Sequence, residues 1–457
     1  MQEMKSISFN RILYLLLFEG LLMILFFTYG YLPLVVVLSA AFLIGLIVYS
    51  FDYPLLLLYV FIFSILVGSL GIFKVTGSGK APPILIVDLL FPIVISILLV
   101  LLLISKEKFE LPSFIFFWLP FVIWGLLSFI VSVDKLRALL IWRNYFAGLI
   151  TFTFAFLIIK NKFELEKLIF AVILWAAILS VIEFYIIYNL GGFSVGIIGV
   201  FFRKNLIATS WGKSNYLATF YVIILPITLG YFLYTNSKKK KIFSIFSAVV
   251  IVTALILTLS RGGILSLLVA VIFFLSQIVK PKNFISIVIS ILALGIIIFL
   301  NPLTSVLIDR MLTFERSFSY MTRINFYEDV WKMFLDNPVF GVGLGNLGYH
   351  SKFIISTHAS AHNILLGLLG ETGIIGALLF IALIGRIIYD LFMQYRNEEI
   401  EKLRILRWAF LSSLFGGLVH SMMEPNFEGF QFSIIYWLIV ALSYKLYLLK
   451  TSLNRPN

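Results

Sequence analysis

No cysteine occurs in the 457 residues, so disulfides, thiolate nucleophiles and cysteine metal sites are excluded, and redox chemistry gives no clue to the compartment. Charge is scarce as well. Charged residues make up 12% of the chain, about half the usual share for a soluble domain. Hydrophobic residues reach 61% and mean hydropathy is +1.07. A chain so short of polar surface cannot be an ordinary soluble domain and reads as an all-α, polytopic membrane protein. No cleavable leader stands out, because the first apolar run, Ile12 to Thr28, is followed at once by another and looks like a retained span. The outer links hold no Asp-x-Asp pair, the acidic pattern that would offer a divalent cation its oxygen ligands. The net charge of +13 would point to nucleic acid in a soluble protein. Here its placement relative to a bilayer matters more, and no nucleic-acid partner is expected.

What the chain does have is long apolar runs. Fourteen candidate spans begin near Ile12, Leu32, Pro54, Pro83, Pro112, Tyr145, Leu168, Tyr216, Ile242, Gly263, Phe284, Asn363, Ile405 and Phe430, each long enough at about 1.5 Å per residue to cross a hydrocarbon core. The expectation is 12 to 14 transmembrane helices. Lysine and arginine gather in the links Ser105–Glu110, Lys160–Lys167, Lys238–Lys241, Lys280–Lys282 and Tyr395–Arg404, which places both termini in the cytoplasm. The stretch 301–361 then faces outward as one large extracytoplasmic loop containing short helices. It separates a transmembrane part, 1–300, from C-terminal helices in 362–457. A loop of about sixty residues between packed helices is long enough to carry function.

Chemistry-bearing residues collect at one rim. Ala361 to Gly376 reads A-H-N-I-L-L-G-L-L-G-E-T-G-I-I-G, which sets His362 at the mouth of a span. Three spans run from outside to inside with polar starts: Ser214 or Asn215 as a cap for one, Ser260 before Arg261-Gly262-Gly263 for the next, and Ser360, His362 and Asn363 before the third. Helix N-termini present unpaired N–H groups and a partial positive charge, which suit a phosphate. Each start has a cationic or titratable neighbour: Arg203 and Lys213, Arg261, and His358 with His362. Taken singly, these residues have duller readings, since an arginine at a hairpin rim snorkels to headgroups and a lone histidine caps or packs. The agreement of three rims on one face argues for a shared anion site.

Several motifs are familiar. His362-Asn363, nine residues, Gly373 and then Gly376 resemble the H-N-x9-G-x-x-G signature of the bacterial O-antigen ligase and polymerase superfamily, membrane glycosyltransferases of the GT-C type. Arg323 to Asn346, ending D-x-P-x-x-G-x-G-x-G, looks like the segment preceding that signature. Ser260-Arg261-Gly262-Gly263 is similar to the family's S-R-G-G turn, and Phe202-Arg203 with Ser214 to Ala218 resembles its arginine followed by N-x-x-A. One departure is that Ile207 stands where the pattern R-x3-L puts leucine, which leaves Lys204 and Lys213 as alternative cations.

The resemblance implies a metal-independent, inverting glycosyltransferase of the inner (plasma) membrane, with its active site facing the periplasm or cell exterior. Its donor would be an undecaprenyl-diphosphate-linked glycan, and its acceptor lipid A core or a second lipid-linked glycan. On this pattern His362, Arg261 and Arg203 are catalytic, and the candidate substrate-binding residues beside them are Arg323, Lys213, Asn363, Ser260 and Glu424. Arginines hold the departing diphosphate and His362 assists the acceptor hydroxyl, residue types that suit that chemistry. Glu424, in the last outer link, is placed to pair with His362 or an arginine, whereas Glu371, about 13 Å along the helix from His362, is too far to share its reaction. Arg310, Arg316, Tyr320, Tyr327 and Trp331 offer phosphate or sugar contacts from the loop, or simply anchor it at the interface. The rival from another class is a polysaccharide flippase or other secondary transporter, which calls for midplane sites and internal repeats. Neither is evident here.

Overall fold

Described here from a computed structural model, the chain is structurally characterised over residues 53–67, 86–104, 111–191, 206–209, 211–286, 288–289, 323–351 and 360–451. Helices dominate: α1 (Pro54–Val67), α2 (Ile86–Ile104), α3 (Ile115–Leu127), α4 (Lys135–Ile158) and α5 (Lys162–Asn189) come first. A two-residue-per-strand hairpin, β1 (Ala208–Thr209) with β2 (Gly212–Lys213), leads into α6 (Ser214–Tyr234), α7 (Lys238–Leu257) and α8 (Arg261–Ile278). After α9 (323–336) and the single turn α10 (Leu347–His350) come α11 (Ile364–Arg396), α12 (Glu401–Ser421) and α13 (Phe430–Thr451). Seven helices among the described residues are long and apolar enough to cross a membrane: α4, α5, α6, α7, α8, α11 and α13. This is an all-α polytopic membrane protein, with short helices inside the long loop.

The spans expected near Ile12 and Leu32 lie outside the described residues, and the one near Phe284 is described only at its start. One boundary is corrected. The sixth span was expected from Tyr145, but α4 starts ten residues earlier, at Lys135. Arg137 and Asn144, which read as link residues, are accommodated on the helix because Arg137 Nε donates to the Gly345 carbonyl and Asn144 Nδ2 to that of Glu428, at 2.6 Å for the latter. A polar group with a partner can enter a helix that an unpaired one would end.

Packing sorts the helices into centre and rim. α6 lies against α12, α7 and α8, and α13 lies along α4, and both α6 and α13 are largely buried. α7 and α8 are mostly exposed and turn Ile242, Ile245, Phe246, Val249, Ile264 and Leu268 outward. Apolar surface on that scale belongs in lipid. Buried carboxylates within the bundle find partners: Glu183 accepts from the Tyr221 hydroxyl at 2.9 Å.

The loop is fixed to the bundle by a break in α11. Gly373 has φ 67, and a Cβ there would stand 2.1 Å from the Val339 carbonyl oxygen. Only glycine takes that left-handed turn with a backbone so near. The break frees carbonyls that a straight helix would use, and the loop bonds to them: Val342 N–H donates to Gly370 and Gly343 N–H to Glu371, both at 2.9 Å, while Trp124 Nε1 donates to Thr372 at 2.9 Å. In return Ile374 N–H donates to the Pro338 carbonyl at 2.8 Å. Gly341, φ 63, would carry a Cβ 2.4 Å from the Gly370 oxygen. The G-x-G-x-G run and the G-x-x-G pair are thus two halves of one joint. A small apolar cluster of Phe326, Val330, Met333, Val342, Leu347 and Ala361 seats α9 over the start of α11.

Candidate active site

The polar rim is centred on Glu424, in the short link between α12 and α13. Three side chains from three elements converge on its carboxylate: Asn215 Nδ2 of α6 donates at 2.7 Å, Arg323 Nη2 of α9 at 3.1 Å, and His362 Nδ1, just before α11, at 3.0 Å. A second bond runs from Arg323 Nη1 to the Met423 carbonyl at 3.3 Å. Glu424 is 6% exposed, whereas Arg323 and His362 are 33% and 40% exposed, so a buried anion holds two groups that still reach water. Burial pushes the Glu424 carboxyl up, but the His362 hydrogen bond and charge, with Arg323, outweigh it and hold the group below the usual carboxylate range. An ionised carboxylate only accepts, so Nδ1 of His362 carries the proton of that bond and Nε2 is left for another task.

Local sequence explains why these groups stay in place. Asn363 caps α11, its Oδ1 accepting from Leu365 and Leu366 N–H at 3.0 and 3.1 Å, so that oxygen is engaged in ending the helix. His362 itself has φ 49, a left-handed conformation in which non-glycine residues persist only when their surroundings hold them. Ser260 caps α8, accepting from Gly263 N–H at 3.2 Å, and the residue before it, Leu259, is the other left-handed non-glycine among the described residues, with φ 53. Both strained residues lie at this rim. The expected cap of α6 is corrected: Lys213 occupies the cap position with no side-chain bond, Ser214 opens the helix, and Asn215 turns to Glu424 instead. A buried carboxylate competes better for the amide than a solvated helix end does.

The remaining candidates fall as follows. Arg261 is exposed at the first position of α8, beside Gly262, whose Cβ position lies 3.1 Å from Met423 Sδ and 3.6 Å from His420 Nε2. Arg261 and His362 therefore share one end of the bundle, linked through the 420–424 segment. Lys213 is exposed on β2. Tyr327 stands within electrostatic reach of Arg323 and Glu424, while Trp331 is an exposed ring against Phe334. Arg203, Lys204, Arg310, Arg316, Tyr320 and His358 lie outside the described residues. Glu371 is buried behind the loop joint, near Gly345 N–H, Arg137 and Glu428. Among the described residues no three His, Asp or Glu side chains gather as metal ligands.

Residues 246–381 match the O-antigen ligase family, a stretch that holds the Arg261 turn, the loop joint and the His362 rim. That stretch is what the chain shares with the O-antigen ligase and polymerase superfamily, to which it is similar. It is 24% identical over 392 residues to an O-antigen polymerase of Salmonella muenchen, covering 79% of this chain and 96% of that one. It is also 24% identical over 132 residues to the teichuronic acid biosynthesis protein TuaE of Bacillus subtilis (strain 168), covering 28% and 26% of the two chains. The protein is thus a multi-pass membrane protein similar to O-antigen ligases and polymerases.

His420 escaped the reading of the sequence. It is fully buried near the end of α12, with Nδ1 2.8 Å from Thr219 Oγ1 and 3.0 Å from Asn426 Nδ2, and its Nε2, without a hydrogen-bond partner, faces Gly262. The signal was present in its spacing, four residues before Glu424 in a chain with four histidines, but a histidine inside an apolar run reads as core.

Proposed function

We propose that this enzyme transfers a glycan from an undecaprenyl diphosphate to an acceptor hydroxyl at the outer face of the inner membrane, in one inverting displacement that needs no metal. The acceptor is lipid A core or the next lipid-linked repeat. The convergence of His362, Arg323 and Asn215 on one buried carboxylate carries the reading.

Glu424 fixes the His362 ring through Nδ1 and steadies the positive charge that develops on it, as a carboxylate does for any imidazole base. Nε2 takes the proton of the acceptor hydroxyl, whose oxygen attacks the anomeric carbon. The bond from that carbon to the diphosphate oxygen breaks, and undecaprenyl diphosphate leaves with both electrons. Its charge is met by Arg261 at the N-terminus of α8, by Arg203 and Lys213, and by the exposed edge of Arg323. Such fixed donors stabilise a leaving anion most in a site poor in water. Asn363 and Ser260 act through the helix ends they cap, fixing the positive ends of α11 and α8 toward the same anion.

The test is incubation of purified protein in detergent with undecaprenyl-diphosphate repeat units, with and without lipid A core. A ladder from repeats alone identifies the repeat as acceptor, and product that forms only with core identifies the core. Intact donor in both arms sinks the proposal, since transport cannot register in detergent.

A further inference from the structure

At the end of the bundle away from Glu424 lies a cavity of about 470 Å³, within the range of about 300–1,000 Å³ in which small-ligand sites fall. α6 and α12 run between the two ends, and 21 residues of α6 put the cavity about 30 Å from Asn215. Its polar wall includes Lys162 from the first turn of α5, Lys240 from the first turn of α7 and Lys402 from the first turn of α12, together with Glu166, Tyr234 and the link 235–237. Its apolar wall includes Leu403, Leu446 and Leu449.

One carboxylate, Glu166, lies among the lysines and pairs with Lys240. Lys240 Nζ lies 3.2 Å from Glu166 Oε2, and the other oxygen of Glu166 accepts from the Tyr234 hydroxyl at 2.9 Å. Lys162 Nζ stands 5.5 Å from the centre of the Tyr234 ring, and Lys402 Nζ donates to Asn236 Oδ1. Three cations against one anion leave the recess positive. Lys240 is half-buried and Lys162 and Lys402 are exposed at the mouth, and all three line a pocket whose other wall is hydrocarbon. Lys238 and Lys239, in the same turn of α7, are exposed and do not line it. A cationic wall set against leucines matches a molecule that carries a phosphate on an acyl chain, and recesses of this composition between transmembrane helices take anionic headgroups.

We propose that this cavity binds an anionic phospholipid, with its phosphodiester on Lys162, Lys240 and Lys402 and its upper acyl chain along Leu403, Leu446 and Leu449. The proposal is independent of the glycan chemistry at the opposite end.

Native mass spectrometry of the purified full-length protein, titrated with phosphatidylglycerol or phosphatidylcholine, tests it. Phosphatidylglycerol should bind and phosphatidylcholine should not. Lys162→Ala/Lys402→Ala should raise the half-saturating phosphatidylglycerol concentration at least tenfold, against less than twofold for the charge-matched Lys238→Ala/Lys239→Ala. Equal loss in both doubles would reduce the effect to diffuse surface charge and overturn the site. So would glycerol phosphate, without chains, binding as tightly as the lipid, because the pocket would then serve a soluble phosphoester. Should the first double fail to fold, Lys162→Arg/Lys402→Arg keeps the charge and should bind within threefold of the parent. A larger loss there also overturns the proposal.

Discussion

Two buried carboxylates at opposite ends of α12 and its flanking links have partners of different character. Glu398 pairs with Arg407, which also donates to the Leu446 carbonyl at 3.1 Å and stands beside the Tyr395 and Tyr447 rings. Both members of that pair are closed off, at 0% and 2% exposed. Glu424 is buried too, but its imidazole and guanidinium partners reach water. A closed pair can only tie helices together, since no substrate reaches its charges. An open one keeps donors and a ring nitrogen available while the buried anion fixes their direction, and that difference, more than the presence of charge, separates a site from a staple.

Substitutions at the two ends should separate the roles. The largest effect is expected for His362→Ala: turnover of lipid-linked donor falls about 10²- to 10⁴-fold while thermal unfolding in detergent is little changed, and an equally active variant would remove His362 from the reaction. Glu398→Ala should invert that pattern. It leaves Arg407 buried and unpaired, at a cost of about 3–5 kcal/mol, read as a lower unfolding midpoint with turnover per folded molecule unchanged. A loss of turnover at constant stability there would break the comparison.

Glu424→Gln keeps the shape and removes the charge, so turnover should drop about ten- to a hundredfold. Unchanged turnover would assign Glu424 to packing. Since the folded pKa of Glu424 is lowered, the unfolded chain binds the proton more readily. Its contribution to stability is therefore present above the ordinary carboxylate range and lost as pH falls through the depressed folded value. Unfolding midpoints of parent and Glu424→Gln should differ at pH 7 and converge below about pH 4. The smallest effect belongs to Ser260→Ala, whose lost cap costs about 1 kcal/mol. If its turnover falls more than this predicts, the Ser260 turn acts on substrate beyond capping α8.

Much of the fold was legible because lipid imposes a simple rule: every backbone group must be satisfied within its own helix, so apolar length reads directly as helix. Basic links and capping residues marked helix ends, as at Asn363 and Ser260. The start of α4 was missed because Arg137 and Asn144 looked like link residues, and their partners, Gly345 and Glu428, lie more than two hundred positions away. The α6 cap was misplaced for the same reason, since nothing local announces that Asn215 has Glu424 to bond.

The amino-acid order alone set the class of molecule, the helical spans and the candidate rim at His362, Arg261 and Glu424, because hydropathy and motif spacing are properties of short segments. Folding in three dimensions decided which carboxylate organises that rim, why the glycines of the loop and of α11 are needed together, and that His420 faces the Ser260 turn. Each of these depends on contacts between distant segments, and a lone-pair direction or a 2.1 Å clash at Gly373 exists only once the helices have packed.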